Sequence, residues 1–498
     1  MSETKPLPRF AIGPVALVAA VQAVVLTAVS GRYGFHRDEL YFLSSGEHLD
    51  WSYVDHPPLT PLLAKIAATL FGATPSGLRI VATLIGAAVV VVVALVAREL
   101  GGDRAAQLLA AAATSVSTYV LVVTHMLSTS TLDLLVWTVI GLLALRLFRA
   151  GDARLWVAIG AAIGVGLANK WLVLLLVSVL GVAVLLVGPR SVLRTWWLAG
   201  GVAVTTVLAL PLVIWQVAHG FPMLTVASGI SSHDGLKNRL LFVPQQVTYL
   251  LPVLVPVWIA GMVRLWRDPA LRWARALPMA YLVLCAALLV LGGKPYYSMP
   301  LLLLLVAAGA EPTTRWFATK RPVKRALSGA VVAVSVALSF MIALPLLPPD
   351  ALGGSPVMAV NREQAEQIGW PGFAANVASV WQRIPPEQRD KAVILARNYG
   401  QAGALDRYGA EHGLPRTYSG HMSFADWGPP PDDMTGPVLL IGFTPIPQDG
   451  FTGCREMAPH DNGIDLDNRE QGTQIALCEA TTTAWSELWP TLRRFYVT

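Results

Sequence analysis

Apolar stretches long enough to cross a lipid bilayer recur from Phe10 to Leu347, and nothing else in the sequence constrains the fold as strongly. A spanning helix needs about 20 predominantly apolar residues, because backbone groups in hydrocarbon must find their partners within the helix. Candidate spans are 10–30, 78–97, 105–123, 131–148, 155–168, 171–187, 196–217, 243–263, 276–292, 299–310 and 326–347. As one helix, 155–187 would run about 50 Å, well beyond a hydrocarbon core of about 30 Å. The polar interruption Asn169-Lys170-Trp171 divides it, so two crossings are expected there. Composition agrees: 14% of residues are charged, against about 25% in an ordinary soluble domain. A soluble enzyme and a single-anchor receptor are both excluded.

The formal charge of +6 is unevenly placed. Residues 1–348 carry 26 Lys and Arg against 13 Asp and Glu, whereas residues 349–498 carry 11 against 18. The basic excess belongs to the membrane part, where loop charge sets orientation, so no nucleic-acid partner is read from it. Eleven spans starting inside put the dense basic segments on the cytoplasmic side, from Lys5 and Arg9 through Arg146, Arg149 and Arg264 to Lys324 and Arg325. An odd count puts the C-terminal block outside. Ala28-Val29-Ser30 faintly resembles a signal cleavage site, but the apolar run before it exceeds the usual 7–15 residues and is read as an anchor.

The tail, 349–498, is Pro-rich at its start and mixes strand-like pieces (392–396, 438–443) with a helix-like one (401–412), which predicts a small α/β domain. Cys454 and Cys478 both lie in it, and outside the cytoplasm a disulfide between them is reasonable. Domains are thus expected at 1–348 and 349–498.

Histidine marks the face that carries chemistry. His36, His48, His56, His125, His219 and His233 all fall on the outer side of this topology. The first outer loop, 31–77, also holds Asp38, Glu39, Glu47, Asp50 and Asp55, and is longer than a connector requires. Its Tyr41, Phe42, Leu49, Trp51 and Tyr53 suggest helices lying along the interface. Titratable groups gathered in one loop point to function.

Within that loop, Phe35-His36-Arg37-Asp38-Glu39-Leu40-Tyr41 and Asp50-Trp51-Ser52-Tyr53-Val54-Asp55-His56-Pro57-Pro58-Leu59 resemble the bacterial branch of the protein mannosyltransferases, glycosyltransferase family 39, which includes the lipid A aminoarabinose transferase. Further similarities lie at Leu132-Asp133, Ala168-Asn169-Lys170, His219-Gly220-Phe221-Pro222 and Gly293-Lys294-Pro295-Tyr296-Tyr297. In the tail, Tyr399-Gly400-Gln401-Ala402-Gly403-Ala404-Leu405 and Ser419-Gly420-His421 are similar to members with an outer C-terminal domain. The resemblance implies a GT-C-like fold and transfer of a sugar from a polyprenyl-phosphate donor to an acceptor outside the membrane.

The residue chemistry is compatible with that. An acceptor hydroxyl is a poor nucleophile at neutral pH, and a carboxylate can take its proton as attack proceeds. By resemblance Asp38 is the catalytic base, with Glu39 orienting it or binding a divalent ion. A single displacement would invert the anomeric centre. Lys294, Lys170 and Arg37 are the candidates for the lipid phosphate, and Asp133 either serves function or pairs with Lys170. Asp55, His56, His219, Tyr296 and Tyr297 complete the active-site candidates. Glu39, Asp55 and His56 are possible ligands for Mg, Mn or Zn, although Pro57 forces extended backbone at His56. The Gly-rich turn at 399–403 would be structural or hold an anion. The partners implied are the lipid donor, membrane lipids and an extracytoplasmic protein, lipid or glycan acceptor. Arg outnumbers Lys 29 to 8, as in a GC-rich bacterial gene, which would place the chain in the plasma membrane. The rival reading is a polyprenyl-sugar flippase, but the spans are nearly free of mid-depth charge and no inverted repeat is visible.

Overall fold

The computed structural model describes residues 6–447 and 449–495, with the side chains of 230–233 excepted. Lys5 and the His233 side chain therefore lie outside the described residues. The membrane block consists of α1 (Ile12–Val29), α2 (Arg37–Glu47), α3 (Leu59–Phe71), α4 (Pro75–Glu99), α5 (Arg104–Ser115), α6 (Thr118–His125), α7 (Thr129–Ala150), α8 (Leu155–Leu167), α9 (Val173–Val187), α10 (Trp196–Ala218), α11 (Pro222–Thr248), α12 (Val255–Arg267), α13 (Ala276–Leu291), α14 (Met299–Ala318) and α15 (Pro322–Ala343). Among the described residues, α1, α4, α7, α10 and α15 are long and apolar enough to span a membrane. Two bent pairs raise the number to seven: α5 with α6, bent by 57°, and residues 234–248 with 252–267, bent by 78°. The other four expected spans coincide with α8, α9 and α13, which have 13, 15 and 16 residues, and with α14, which carries Glu311 and Pro312. The expected break in 155–187 is present, and buried Asn169 fixes it by accepting from Thr60 Oγ1 (2.6 Å) and donating to the Thr129 carbonyl (2.7 Å). The stretch between 217 and 243 is not a plain loop: Pro222 opens α11 there.

The two bends complete each other. Helix α6 begins with amides that have no partner in their own helix, and Thr118 N and Tyr119 N donate to the carbonyls of Leu250 and Tyr249 at the end of α11 (2.9 and 2.7 Å). Elsewhere small residues bring backbones together. A Cβ at Gly309 of α14 would lie 1.8 Å from the Val257 carbonyl oxygen of α12.

The first long loop, 31–77, does contain helices, α2 and α3, and it is held by one buried ion pair. Arg79, in the first turns of α4, donates Nε to Glu39 Oε1 (3.0 Å) and Nη2 to Glu39 Oε2 (2.7 Å). It also donates to the carbonyls of Ser30 (2.6 Å) and Gly34 (2.8 Å) and to Gln367 Oε1 (3.1 Å). Glu39 additionally accepts the amides of His36 (2.9 Å) and Leu127 (3.0 Å), and both side chains are fully buried. The end of α1, the loop, α4, the α6–α7 junction and the tail thus meet at one ion pair.

In the tail, β1 (Val393–Ala396), β2 (Thr417–Ser419), β3 (Val438–Ile441), β4 (Phe451–Thr452), β5 (Arg455–Pro459), β6 (Gln474–Cys478) and β7 (Ala480–Thr481) form two sheets. The larger has the order β2-β1-β3-β6-β5, parallel from β2 to β3 and antiparallel from β3 to β5; the smaller pairs β4 with β7. The expected α/β character is therefore present, with a helix at Tyr399–Tyr408 where one was expected. Cys454 and Cys478 are joined in a disulfide. One face of the sheet packs on Trp485, Leu488 and Trp489. The other shares a core with the first loop, in which Phe35, Leu40 and Phe42 meet Trp370, Phe373 and Leu405.

Removing one partner of a buried pair strands the other's charge, at a cost of about 3–5 kcal/mol. Glu39→Gln is expected to lower the thermal unfolding temperature of the purified protein sharply. Glu39→Leu combined with Arg79→Met should restore part of the loss, as measured by unfolding in detergent.

Candidate active site

Asp38 occupies the first turn of α2, where the extended residue His36 caps the helix by accepting the Asp38 amide on Nδ1 (3.2 Å). Its carboxylate is held from the tail: Tyr399 donates its hydroxyl to Oδ1 at 2.8 Å. Arg37 Nε lies 3.6 Å from Oδ1, and His36 Nδ1 lies 3.9 Å from Oδ2. Burial pushes the Asp38 carboxyl up, but His36, Arg37 and the Tyr399 hydroxyl outweigh it and hold the group below its ordinary value. Asp38 is thus ionised at neutral pH with Oδ2 left to take a proton.

Parallel approach of two helices creates this contact. A Cβ at Gly400 would come within 3.1 Å of Arg37 Cβ, and one at Gly403 within 3.1 Å of the Leu40 backbone. The Gly-rich turn therefore serves close packing of the tail helix on α2, and Asn398 caps it by accepting the Gln401 amide (2.8 Å). His421 stacks on Tyr399 (5.2 Å, 9°) and accepts its amide. Burial, reinforced by Arg494, Arg37 and Arg397, lowers the His421 imidazole to about 3, so it is neutral.

Arg37, Lys294, Tyr399 and His421 line a cavity of about 790 Å³. Arg397 and Arg469 add positive charge to its wall, against Asp234 and Glu470. Lys294 is raised above its ordinary value chiefly by Tyr296, against burial, with Tyr297, Asp38 and Asp234 adding to the effect. Arg37 is flanked by Glu363 (3.9 Å) and Glu366 (3.7 Å), yet its buried Nε and Nη1 have no hydrogen-bond partner. This is a predominantly cationic pocket with unspent donors near an ionised carboxylate.

The other candidates are distributed around it. Asp55 accepts from Tyr41 (2.7 Å), and the Tyr41 ring stacks on Tyr399 (4.7 Å), so a second carboxylate sits behind the first across two tyrosines. Burial raises the Asp55 carboxyl above its ordinary value. Lys170 lies over the rings of Tyr297 (5.1 Å) and Tyr296 (5.8 Å) and contacts Ser130 (3.3 Å), one step behind Lys294. Asp133 is buried with Oδ1 unpaired, within the influence of Lys170 but without an ion pair to it.

Two expectations need correction. Glu39 neither orients Asp38 nor is open to a metal, because four hydrogen bonds from Arg79, His36 and Leu127 fill its carboxylate. His219 stacks on Trp215 (3.8 Å) near Asp50, away from the Asp38 cluster. With Glu39 committed, Asp55 and His56 (3.9 Å apart) make no cation site, and among the described residues no three His, Cys, Asp or Glu groups converge. The proposed metal does not fit these residues. Sequence reasoning also missed Arg79, whose signal was a lone arginine in an apolar helix. It missed Glu363 and Glu366 as well, which only the folded tail brings to Arg37.

Residues 55–215 match the family profile described as dolichyl-phosphate-mannose-protein mannosyltransferase. That similarity spans 161 of the chain's 498 residues. The matched segment begins at Asp55, so Arg37, Asp38 and Lys294 flank it. No curated protein sequence matches the chain. Among solved structures, ArnT from Cupriavidus metallidurans in the apo state is similar at a TM-score of 0.60 and 17% identity, covering 94% of this chain and 98% of that one. The same protein bound to undecaprenyl phosphate gives 0.59 and 17%, covering 93% and 97%. The fold is therefore GT-C, and the chain is a multi-pass membrane protein.

Because Tyr399 stabilises the Asp38 carboxylate, Tyr399→Phe is expected to raise the Asp38 pKa. If Asp38 acts as base, activity falls as pH drops through that pKa. The acid limb of the pH–rate profile should accordingly move to higher pH in the variant, as read from kcat/KM across an acid titration.

Proposed function

We propose that this protein is an inverting glycosyltransferase that moves a sugar from a polyprenyl-phosphate donor to an acceptor at the outer face of the plasma membrane. The acceptor would be a cell-envelope glycan, lipid or protein. The N-terminus would be cytoplasmic and the tail domain extracytoplasmic. The observation that carries the reading is the pairing of an ionised Asp38 with a cationic cavity at the end of the helical block. The undecaprenyl phosphate bound by ArnT, whose fold this chain shares, supports a lipid donor of the same kind.

In this mechanism the acceptor hydroxyl gives its proton to Asp38 Oδ2 while its oxygen attacks the anomeric carbon, and the bond to the lipid phosphate breaks on the opposite side. Inversion follows from a single displacement. Charge developing on the departing phosphate is met by Lys294, a point charge, and by Arg37, whose planar fork suits phosphate oxygens. Tyr399 keeps the carboxylate in position and holds one of its oxygens, leaving the other for the proton.

A panel of radiolabelled polyprenyl-phosphate sugars, with membrane extract as acceptor, tests the reading. A general base contributes roughly 10²–10⁴ in rate, so Asp38→Asn should fold and insert yet lose at least about 100-fold in transfer. Lys294→Ala should raise KM for the donor more than for the acceptor. Normal turnover by Asp38→Asn would remove Asp38 as base. Failure to consume any donor, with movement of such lipids across vesicles, would favour the flippase.

A further inference from the structure

The helix pair that builds the active site has a second cavity at its other end. Its volume is about 520 Å³, and its wall comes from the C-terminal half of α2, the tail helix Tyr399–Tyr408 and the segments around Tyr418 and Trp427. From Arg37 at the first cavity to Ser44 at the second is seven residues of α2, or about 10 Å. Pockets of this size bury small ligands, and nothing in the donor chemistry above uses this one.

The lining differs in kind from the first cavity. Acidic Glu47 and Asp406 are balanced by basic Arg407 and Arg416, whereas the donor cavity is predominantly cationic. The pocket therefore offers an anion no net attraction. It presents flat rings and hydrogen-bonding groups of both senses. Trp427 is stacked on His48 (4.3 Å, 11°). Arg416 lies over the Tyr418 ring (4.9 Å) and donates to the Trp427 carbonyl (2.9 Å), so one guanidinium fixes both aromatic segments. Asp406 accepts from Ser44 Oγ on one oxygen (3.1 Å), which orients its carboxylate. Its surface remains exposed along the cavity, although surrounding protein pushes the carboxyl up to about 6. A sugar ring has an apolar C–H face to lay on aromatic rings and a rim of hydroxyls that both donate and accept. Asp406 accepts, and the guanidinium of Arg416 donates.

We propose that this second cavity is a carbohydrate subsite that holds neutral sugar residues of a glycan acceptor, about 10 Å from the position where the transferred sugar is received. The inference rests on the transferase reading for its purpose and narrows the acceptor to a glycan.

The test uses the full chain in lipid nanodiscs, free of sugar-based detergent, with calorimetric titration of neutral linear tetrasaccharides of glucose, galactose, mannose and arabinose. A Ser/Thr-rich peptide is titrated alongside. At least one tetrasaccharide should bind with a Kd below about 1 mM. Asp406→Asn, which keeps an acceptor for Ser44, should weaken that binding at least tenfold without lowering the unfolding temperature, and Tyr418→Ala should weaken it at least as much. Binding of no tetrasaccharide, binding of the peptide alone, or undiminished binding in both variants overturns the proposal. Donor turnover by the same wild-type preparation separates the two ideas. Turnover without saccharide binding removes the subsite and leaves the transferase, whereas saccharide binding without turnover keeps the subsite and removes the transferase.

Discussion

The fully buried ion pair between Arg79 and Glu39 is the constraint on which the arrangement of this molecule depends. A guanidinium in an apolar helix is costly unless its donors are all engaged, and here the ion pair joins five parts of the chain. The carboxylate that neutralises it also closes the capping box of α2 through the His36 amide. The start of α2 is thus fixed relative to α4, and with it the residue that follows His36 by two, Asp38. The pair does no chemistry; it decides where the chemistry is.

The second constraint comes from the tail. Phe35, Leu40 and Phe42 of the first loop and Trp370, Phe373 and Leu405 of the tail bury one another in one core. Gly400 and Gly403 let the two helices approach closely enough for a tyrosine hydroxyl to reach an aspartate. The loop brings the carboxylate, the segment after α13 brings Lys294, and the tail brings Tyr399 and His421. Each element alone presents an ordinary surface residue; the perturbed carboxylate and the cationic cavity exist only in combination.

Much of this was legible in the sequence, for physical reasons. Membrane helices must bury their backbone within apolar runs, so α1, α4, α7, α10 and α15 stand out by length. The break at Asn169 was visible because a polar triplet interrupts an apolar stretch. Concentration of histidine and carboxylates in one loop pointed to that loop, and Asp38, His36 and Asp55 lie in it. What sequence alone could not show was commitment. Asp38 and Glu39 are adjacent and chemically alike, yet one is held by Tyr399 of the tail and the other by Arg79. Likewise Glu363 and Glu366 reach Arg37 only through tertiary folding. The partnership of the bends at 115–118 and 248–252 was hidden because each is satisfied by the other's backbone, although Pro252 marks the second break in the sequence.

The hydrogen bond between Tyr399 and Asp38 joins residues 361 positions apart. Every helix from α2 to α15 is therefore synthesised before the residue that completes the carboxylate's environment. A chain ending before residue 399 would lack the hydroxyl that holds Asp38 and much of the core that covers the first loop.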